Sequence, residues 1–490
     1  MPRAQSSSTS AAGGPTEARA STLALPPLTE ITDGERTIEQ AEFAALVDRA
    51  SGELADAGVG RGSRVAAALR PGPAAAILLW AAHALEASII ALDPDSPAEL
   101  RQRAARSAGA GFVIEKLAVA APGGDPPLDL AARPLDGAWR GGAPTSAPGG
   151  ASWDTAPEGP PLTILRTSGT TGRPKLVPLW ARQHLASARA ACQALRAGSG
   201  DRWLCVLPLF HVGGLSILFR AAVSGAAVEF HERFDAERVA ARLRSGEISH
   251  CSLVPTMLRR LLDRLPGRWA RSPRCVLLGG SAVDRDLLER AAAAGIPVYR
   301  TYGMTETASL VALAGPGEEW ARPLPGVELT VDPGSREILI RGEMVSPAGC
   351  AADGWLRSGD LGELDSGGRL RVRGRLKTLI ISGGENVSPE EVERTLESHP
   401  AVREAGVAGL PDREWGEAVV AVVVPAAAVG DGHDARVLGE ALRAHCRAQL
   451  ERYKVPKRIF FADALPRTAL GKLDRGELAR AARDFAEREG

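Results

Sequence analysis

The sequence predicts an α/β protein. A large N-terminal domain of mostly parallel sheets flanked by helices carries a small β unit, and a small mobile α+β C-terminal domain follows. Three observations predict this. Short apolar runs alternate with helical-period segments over residues 64–114 and again over 183–300, the pattern of βαβ units. From 328 to 372 the apolar period becomes two, broken by Gly and Asp turns, as in a small antiparallel sheet. The chain has 490 residues and is 44% hydrophobic, too long for one ordinary domain and apolar enough for sizeable cores.

The elements follow in order. Residues 1–27 are rich in Ser, Ala, Gly and Pro and lack an apolar leader core, so they read as a disordered tail and not a signal peptide. Residues 37–57 space Ala44, Ala45, Val47, Ala50 and Leu54 as a helix that stops at Gly58. A strand at 64–69, a helix at 74–85 and a buried strand at 88–92 come next. This most apolar window holds His83 and Glu86, which suits a buried helix leading into a strand better than a membrane span. A helix at 100–108 and a strand near 112–114 precede a Pro-, Gly- and Ala-rich stretch, 120–160, which reads as a long connection. The alternation resumes with strand 162–165, helix 183–195, strand 203–207, helix 214–223 and strand 227–230. Helix 236–245, strand 250–254, helix 257–265, strand 275–278, helix 285–293 and strand 298–300 complete the series. Beyond Arg375 lie a helix at 389–399, strands at 402–410 and 418–425, and a helix at 435–450. The implied division is tail 1–27, N-terminal domain 28–374 and C-terminal domain 375–490.

Charge narrows the function. Lys+Arg and Asp+Glu balance at 59 each and aromatics make up only 4%, which argues against nucleic acid as a partner. The six cysteines have no Cys-x-x-Cys spacing and read as buried side chains in a reducing, cytoplasmic protein.

The chemistry concentrates in a few segments. Thr167-Ser168-Gly169-Thr170-Thr171-Gly172-Arg173-Pro174-Lys175 follows a strand and packs glycines, hydroxyls and cations that suit phosphate oxygens. It is not a Walker loop. Tyr302-Gly303-Met304-Thr305-Glu306-Thr307 leaves the carboxyl end of a strand, where α/β folds place ligands. Ser358-Gly359-Asp360, Arg373-Gly374-Arg375-Leu376-Lys377, Ser382-Gly383-Gly384-Glu385-Asn386, Trp415-Gly416-Glu417 and Arg467-Thr468-Ala469-Leu470-Gly471-Lys472 follow. Taken singly, Asp360 is a turn residue, Lys472 a surface lysine and Glu306 a helix-start charge. Their order and completeness argue otherwise.

With these motifs in this order, the chain from about Thr37 to Leu478 resembles the adenylate-forming superfamily of acyl-CoA synthetases, adenylation domains and luciferases. The resemblance implies ATP, Mg²⁺ and coenzyme A, and two half-reactions: a carboxylate attacks ATP to give an acyl-adenylate, then a thiol displaces AMP. It implies that Thr167 to Gly172 and Lys175 hold phosphates and that Glu306 binds the metal. Tyr302 and Gly303 would border adenine, Thr305 the α-phosphate or acyl carboxylate, and Asp360 with Arg375 the ribose. Lys472 would be the adenylation lysine, delivered by rotation about a hinge near Lys377. The next residue is Thr378, where Asp is common, a departure that bears on hinge energetics. Ser382, Gly383 and Gly384 would border the pantetheine tunnel, and Trp415 would meet the CoA nucleotide, although a buried Trp in a small domain is usually core. A carrier-protein thiol remains an alternative acceptor.

The acyl pocket draws on His211, Thr256, Gly279, Gly280, Ser281 and Ser309. His211 stands where amino-acid-activating relatives usually carry Asp, which counts against an amino-acid substrate; a core or gating role is its other reading. Residues 207–215, 252–258, 277–281 and 380–387 resemble the o-succinylbenzoate–CoA ligase branch of menaquinone biosynthesis. Other aryl- or fatty-acyl-CoA ligases share several of these features, and a non-catalytic nucleotide-binding protein is the third reading. An aromatic acid with a second carboxylate needs apolar walls and a few donors. No Arg or Lys in these segments pairs that carboxylate, which leaves backbone N–H groups or water to do so.

Overall fold

Parallel strands buried on both faces read as continuous apolar runs, and Cys275–Leu278 and Ser88–Leu92 are buried at every position. In the computed structural model the described residues are 23–119, 128–135, 159–167, 175–270, 272–280, 283, 285–376, 380–382, 385–412, 415–427, 433–450, 454–468 and 471–488. Two sheets dominate. The nine-stranded one runs Arg322–Pro323, Ser309–Ala314, Val298–Met304, Cys275–Leu278, His250–Leu253, Arg202–Cys205, Ala227–Phe230, Glu30–Thr32, Thr37–Glu39. Its strands from Val298–Met304 to Glu30–Thr32 are parallel. The six-stranded sheet runs Leu128–Pro134, Phe112–Val119, Arg64–Ala68, Ser88–Leu92, Thr163–Thr167, Lys175–Leu179, with antiparallel edges around a parallel centre.

The two sheets share one apolar core. A ring column runs through it. Phe43 meets Trp80 edge-on at 5.8 Å, Trp80 stacks on Phe219 at 5.7 Å, and Phe219 stacks on His184 at 4.2 Å. These rings tie together the helices Gln40–Asp56, Pro73–Ala84, Val212–Ser224 and Ala181–Leu195. Local signals set the helix ends. The Asp235 carboxylate accepts from the Arg238 N–H at 2.7 Å to start Ala236–Ser245, and left-handed Gly246 stops it.

A four-stranded antiparallel sheet (Val327–Val331, Glu337–Gly342, Leu356–Leu364, Leu370–Arg375) precedes the small domain. There, Glu385–Val387, Ile380–Ser382, Gly416–Pro425 and Val402–Asp412 pair in that order, with Arg458–Phe461 parallel to Gly416–Pro425. Helices Pro389–Glu397, His433–Gln449 and Arg475–Arg488 belong to this unit. It seats closely on the antiparallel sheet: a Cβ built on Gly374 would lie 2.4 Å from Ser388 Oγ and 2.9 Å from Glu390 Oε2. Arg475 holds Glu390 and Glu393 at 2.9 Å each.

Some expectations need correction. The connection expected over 120–160 contains the strand Leu128–Pro134. Lys175, expected in the phosphate loop, opens a strand antiparallel to Thr163–Thr167. The strand Arg458–Phe461 and the helix Arg475–Arg488 were not anticipated. Residues 23–27, read as the end of the tail, lie against Pro73–Ala84, where Trp80 Nε1 donates to the Pro26 carbonyl at 3.0 Å. Residues 1–22 lie outside the described residues, as does the hinge pair Lys377 and Thr378. Among the described residues no helix is long and apolar enough to cross a membrane.

Candidate active site

The site collects at the carboxyl ends of the parallel strands of the larger sheet, where strand ends open a crevice between loops. Tyr302 and Gly303 lie on Val298–Met304, whose register shifts between them as the chain folds back onto Ser309–Ala314. The approach is so close that a Cβ on Gly303 would sit 2.0 Å from the Ser309 carbonyl oxygen. Between the strands a single 3₁₀ turn, Thr305–Thr307, presents Glu306. It exits through Ala308 at φ 51° and Ser309 at φ 144°, unusual values for non-glycine residues that tend to gather at functional turns.

Two ion pairs organise this surface. Lys175 Nζ lies 3.1 Å from Glu306 Oε1, joining the start of the strand after the phosphate loop to the 3₁₀ turn. Thr167 pairs with Lys175 across the hairpin, whereas Ser168, Gly169, Thr170, Thr171 and Gly172 lie outside the described residues. Arg375 Nε lies 2.9 Å from Asp360 Oδ1, and the Tyr302 hydroxyl donates to Asp360 Oδ2 at 3.0 Å. Burial raises the Asp360 carboxyl above its usual range, while the Arg375 guanidinium and the Tyr302 hydroxyl pull it back down. The Tyr302 phenol is held well above its ordinary value by burial and by the neighbouring carboxylate.

The small domain brings Lys472 into the same place. The Thr468 N–H donates to the Lys472 carbonyl at 2.8 Å, and Arg467 Nη1 to the Gly471 carbonyl at 2.8 Å. A Cβ on Gly280 would lie 4.0 Å from Lys472 Cε, and one on Gly471 3.4 Å from Thr256 Cγ2. Burial and the Arg375 charge lower the Lys472 ammonium. His211, at the start of Val212–Ser224, leans on Phe210 at 4.3 Å. Its imidazole is lowered to about 4 by burial and by Lys472, with Asp93 opposing, so it is neutral at neutral pH.

The structure therefore unites Lys175, Glu306, Tyr302, Asp360, Arg375, Lys472, Thr256, Gly280 and His211, with Gly279 in the same turn and Thr305 beside Glu306. Ser281, Gly383 and Gly384 lie outside the described residues. Ser382 and Trp415 lie in the small domain, near the start of Gly416–Pro425. Ser382 is buried and bridges to Gly416, and Trp415 is half-buried with the Lys457 ammonium 3.9 Å from its ring centroid. Among the described residues no cluster of three metal-ligating side chains occurs.

One residue escaped the sequence reading. Arg220 is almost fully buried, yet its Nη2 donates to Ser309 Oγ at 2.8 Å, and Ser309 in turn reaches Ser216 Oγ at 3.2 Å. No carboxylate pairs it among the described residues, and its Nε has no hydrogen-bond partner. Burial lowers the guanidinium to about 10, so it stays charged. A cation thus stands behind Ser309, one of the residues expected to line the acyl pocket, although only backbone or water was expected to meet a second carboxylate there.

Comparison with known proteins agrees with this geometry. Residues 17–347 match the AMP-binding enzyme family and residues 391–472 the AMP-binding enzyme C-terminal domain. A 2-succinylbenzoate–CoA ligase of Bacillus pumilus is 39% identical over 339 residues, covering 64% of this chain and 68% of that protein. The ligase of the same name from Geobacillus kaustophilus is 41% identical over 342 residues, covering 65% and 69%. The o-succinylbenzoate CoA synthetase of Bacillus subtilis, solved with the acyl-adenylate intermediate, superposes with a TM-score of 0.75 at 31% identity, covering 92% of this chain and 95% of that one. With both domains matched and the lysine loop seated over the strand ends, the chain belongs to the AMP-binding enzyme family.

Proposed function

We propose that this protein is a cytoplasmic ATP-dependent ligase that joins 2-succinylbenzoate to coenzyme A in menaquinone biosynthesis. The acid and ATP give an acyl-adenylate and pyrophosphate, and the CoA thiol then displaces AMP. The similarity to 2-succinylbenzoate–CoA ligases supports the reaction. The observation that carries the choice of acid is the buried Arg220 guanidinium behind Ser309, which no carboxylate pairs among the described residues. A substrate with a second carboxylate would complete that pair, whereas a benzoate or fatty acid would leave it open.

The roles follow from the geometry. Asp360 spends one acceptor position on each oxygen, so its remaining lone pairs can take the ribose hydroxyls. Lys472 lies where it would bridge the attacking carboxylate and the α-phosphate and stabilise the charge that develops between them. Neutral His211 borders the acyl group and adds no competing cation. The Glu306 carboxylate fits Mg²⁺, which is ordinarily held by one or two carboxylates, phosphate oxygens and water. When bound, the ion neutralises charge on the leaving pyrophosphate. The Lys457–Trp415 pair supports CoA as the thiol donor, since a cation on an aromatic ring suits a phosphorylated nucleotide. Six unpaired cysteines, none fully exposed, support a reducing setting.

The test is thioester formation, followed by mass spectrometry, with 2-succinylbenzoate, its two mono-acid analogues, benzoate and medium-chain fatty acids. The diacid should be preferred, and Arg220→Leu should erase a preference of about 10- to 100-fold over the mono-acids. Dominant thioester from benzoate or a fatty acid would reassign the substrate.

A further inference from the structure

Among the described residues no carboxylate pairs the buried Arg220 guanidinium, so something other than an ion pair holds it there. Trp203 is fully buried on Arg202–Cys205, and Arg220 Cζ lies 5.6 Å from its ring centroid. On the adjacent parallel strand, His250 is the register partner of Trp203 and stacks on it at 4.5 Å with 23° between planes. His250 Nδ1 meets Ser249 Oγ at 2.9 Å, and Asp201 beyond it takes Arg274 Nη2 at 2.7 Å. A chain of contacts thus runs from the half-exposed Arg274 through Asp201, His250, Trp203 and Arg220 to Ser309.

We propose that Trp203, backed by His250, is the positioning residue that fixes Arg220 for the second carboxylate of the acid substrate; this rests on the diacid reading above. A protein carboxylate in place of Trp203 would hold the guanidinium equally well but would neutralise it. The indole face attracts the cation through its quadrupole and leaves the full charge for a ligand. Its rigid two-torsion side chain also fixes where that charge sits. His250 serves the same end: burial keeps its imidazole neutral, so it braces the indole without setting a second cation against Arg220. Trp203 itself does not need to touch the substrate.

The experiment compares steady-state kinetics of wild type, Trp203→Leu and Trp203→Phe with 2-succinylbenzoate and with its mono-acid analogues. Trp203→Leu should raise KM for the diacid by a few-fold to about 30-fold, with kcat and the mono-acid KM values held. Trp203→Phe should recover part of the loss. An unchanged diacid KM in Trp203→Leu would overturn the proposal, as would an equal loss with every acid, which marks a merely structural role. If Trp203→Leu does not fold, Trp203→Phe decides. A rise confined to the diacid supports positioning, and no change overturns it. A wild-type enzyme without diacid preference would instead sink the substrate reading, a result visible before any variant is made.

Discussion

Three histidines, His184, His211 and His250, are tuned by burial more than by partners. His184 shows it most clearly: it is fully enclosed, with Nε2 bonded to Thr163 Oγ1 at 2.9 Å and its ring stacked on Phe219. Burial lowers its imidazole to about 3. His211 is lowered to about 4 by burial and Lys472, and burial also lowers His250. In the unfolded chain each takes a proton near pH 6.5. Between that pH and the folded value the unfolded state binds more protons, so stability is full above pH 6.5 and is lost as pH falls. For His184 alone the loss is about 1.4 kcal/mol per pH unit within the window. Urea midpoints measured from pH 7.5 to 5 should therefore drop, and His184→Gln should flatten the slope. A midpoint that stays level from pH 6.5 to 5 would refute this account.

Elements meet here through close backbone approaches, and glycines mark where they do so. A Cβ on Gly303 would strike backbone of the facing strand, 2.0 Å from the Ser309 carbonyl oxygen and 2.5 Å from Leu310 Cα. Gly303→Ala must push that strand away, at a cost of about 1–3 kcal/mol, and displace Ser309 from Arg220. Gly439, inside the helix His433–Gln449, has nothing within 4 Å of a built Cβ, so Gly439→Ala should add about 0.5–1 kcal/mol. Denaturant titration of both variants checks the contrast, and equal stability of Gly303→Ala and wild type would show that the strands can part freely. The same scale shows what the sequence made legible. Buried parallel strands such as Cys275–Leu278 announce themselves as apolar runs. Lys175–Leu179 did not, because Pro178 argues against a strand anywhere but at a sheet edge, which is where it lies. Leu128–Pro134 was hidden by the Pro- and Gly-rich composition around it. Arg220 was missed because a lone cation on an apolar helix carries no period of its own; only the packing of Val212–Ser224 aims it at Ser309.

At the scale of the whole molecule, one arrangement of the domains serves only half of the proposed reaction. Lys472 sits over the strand ends, where its proposed role in adenylate formation would place it, while Ser382 and Trp415, the candidates for the thiol substrate, occupy another part of the small domain. If the proposed roles hold, thioester formation calls for the small domain to turn, and the structure offers a way to prevent it. A Cβ on Gly471 would lie 3.9 Å from Thr256 Cβ, within the span of about 3.5–4.5 Å that a disulfide bridges. Gly471 has φ 74°, so a cysteine there is strained by about 1–2 kcal/mol. That is no more than the roughly 2–4 kcal/mol a disulfide typically contributes. The native cysteines are buried or half-buried and compete little for the new pair. The oxidised double variant Thr256→Cys/Gly471→Cys should form acyl-adenylate and release pyrophosphate about once per enzyme, then stop without thioester. Dithiothreitol should restore thioester formation in the same sample, which separates the lock from any effect of losing Thr256. If the oxidised enzyme makes thioester as fast as its reduced form, both half-reactions run from the orientation seen here and no rotation is needed.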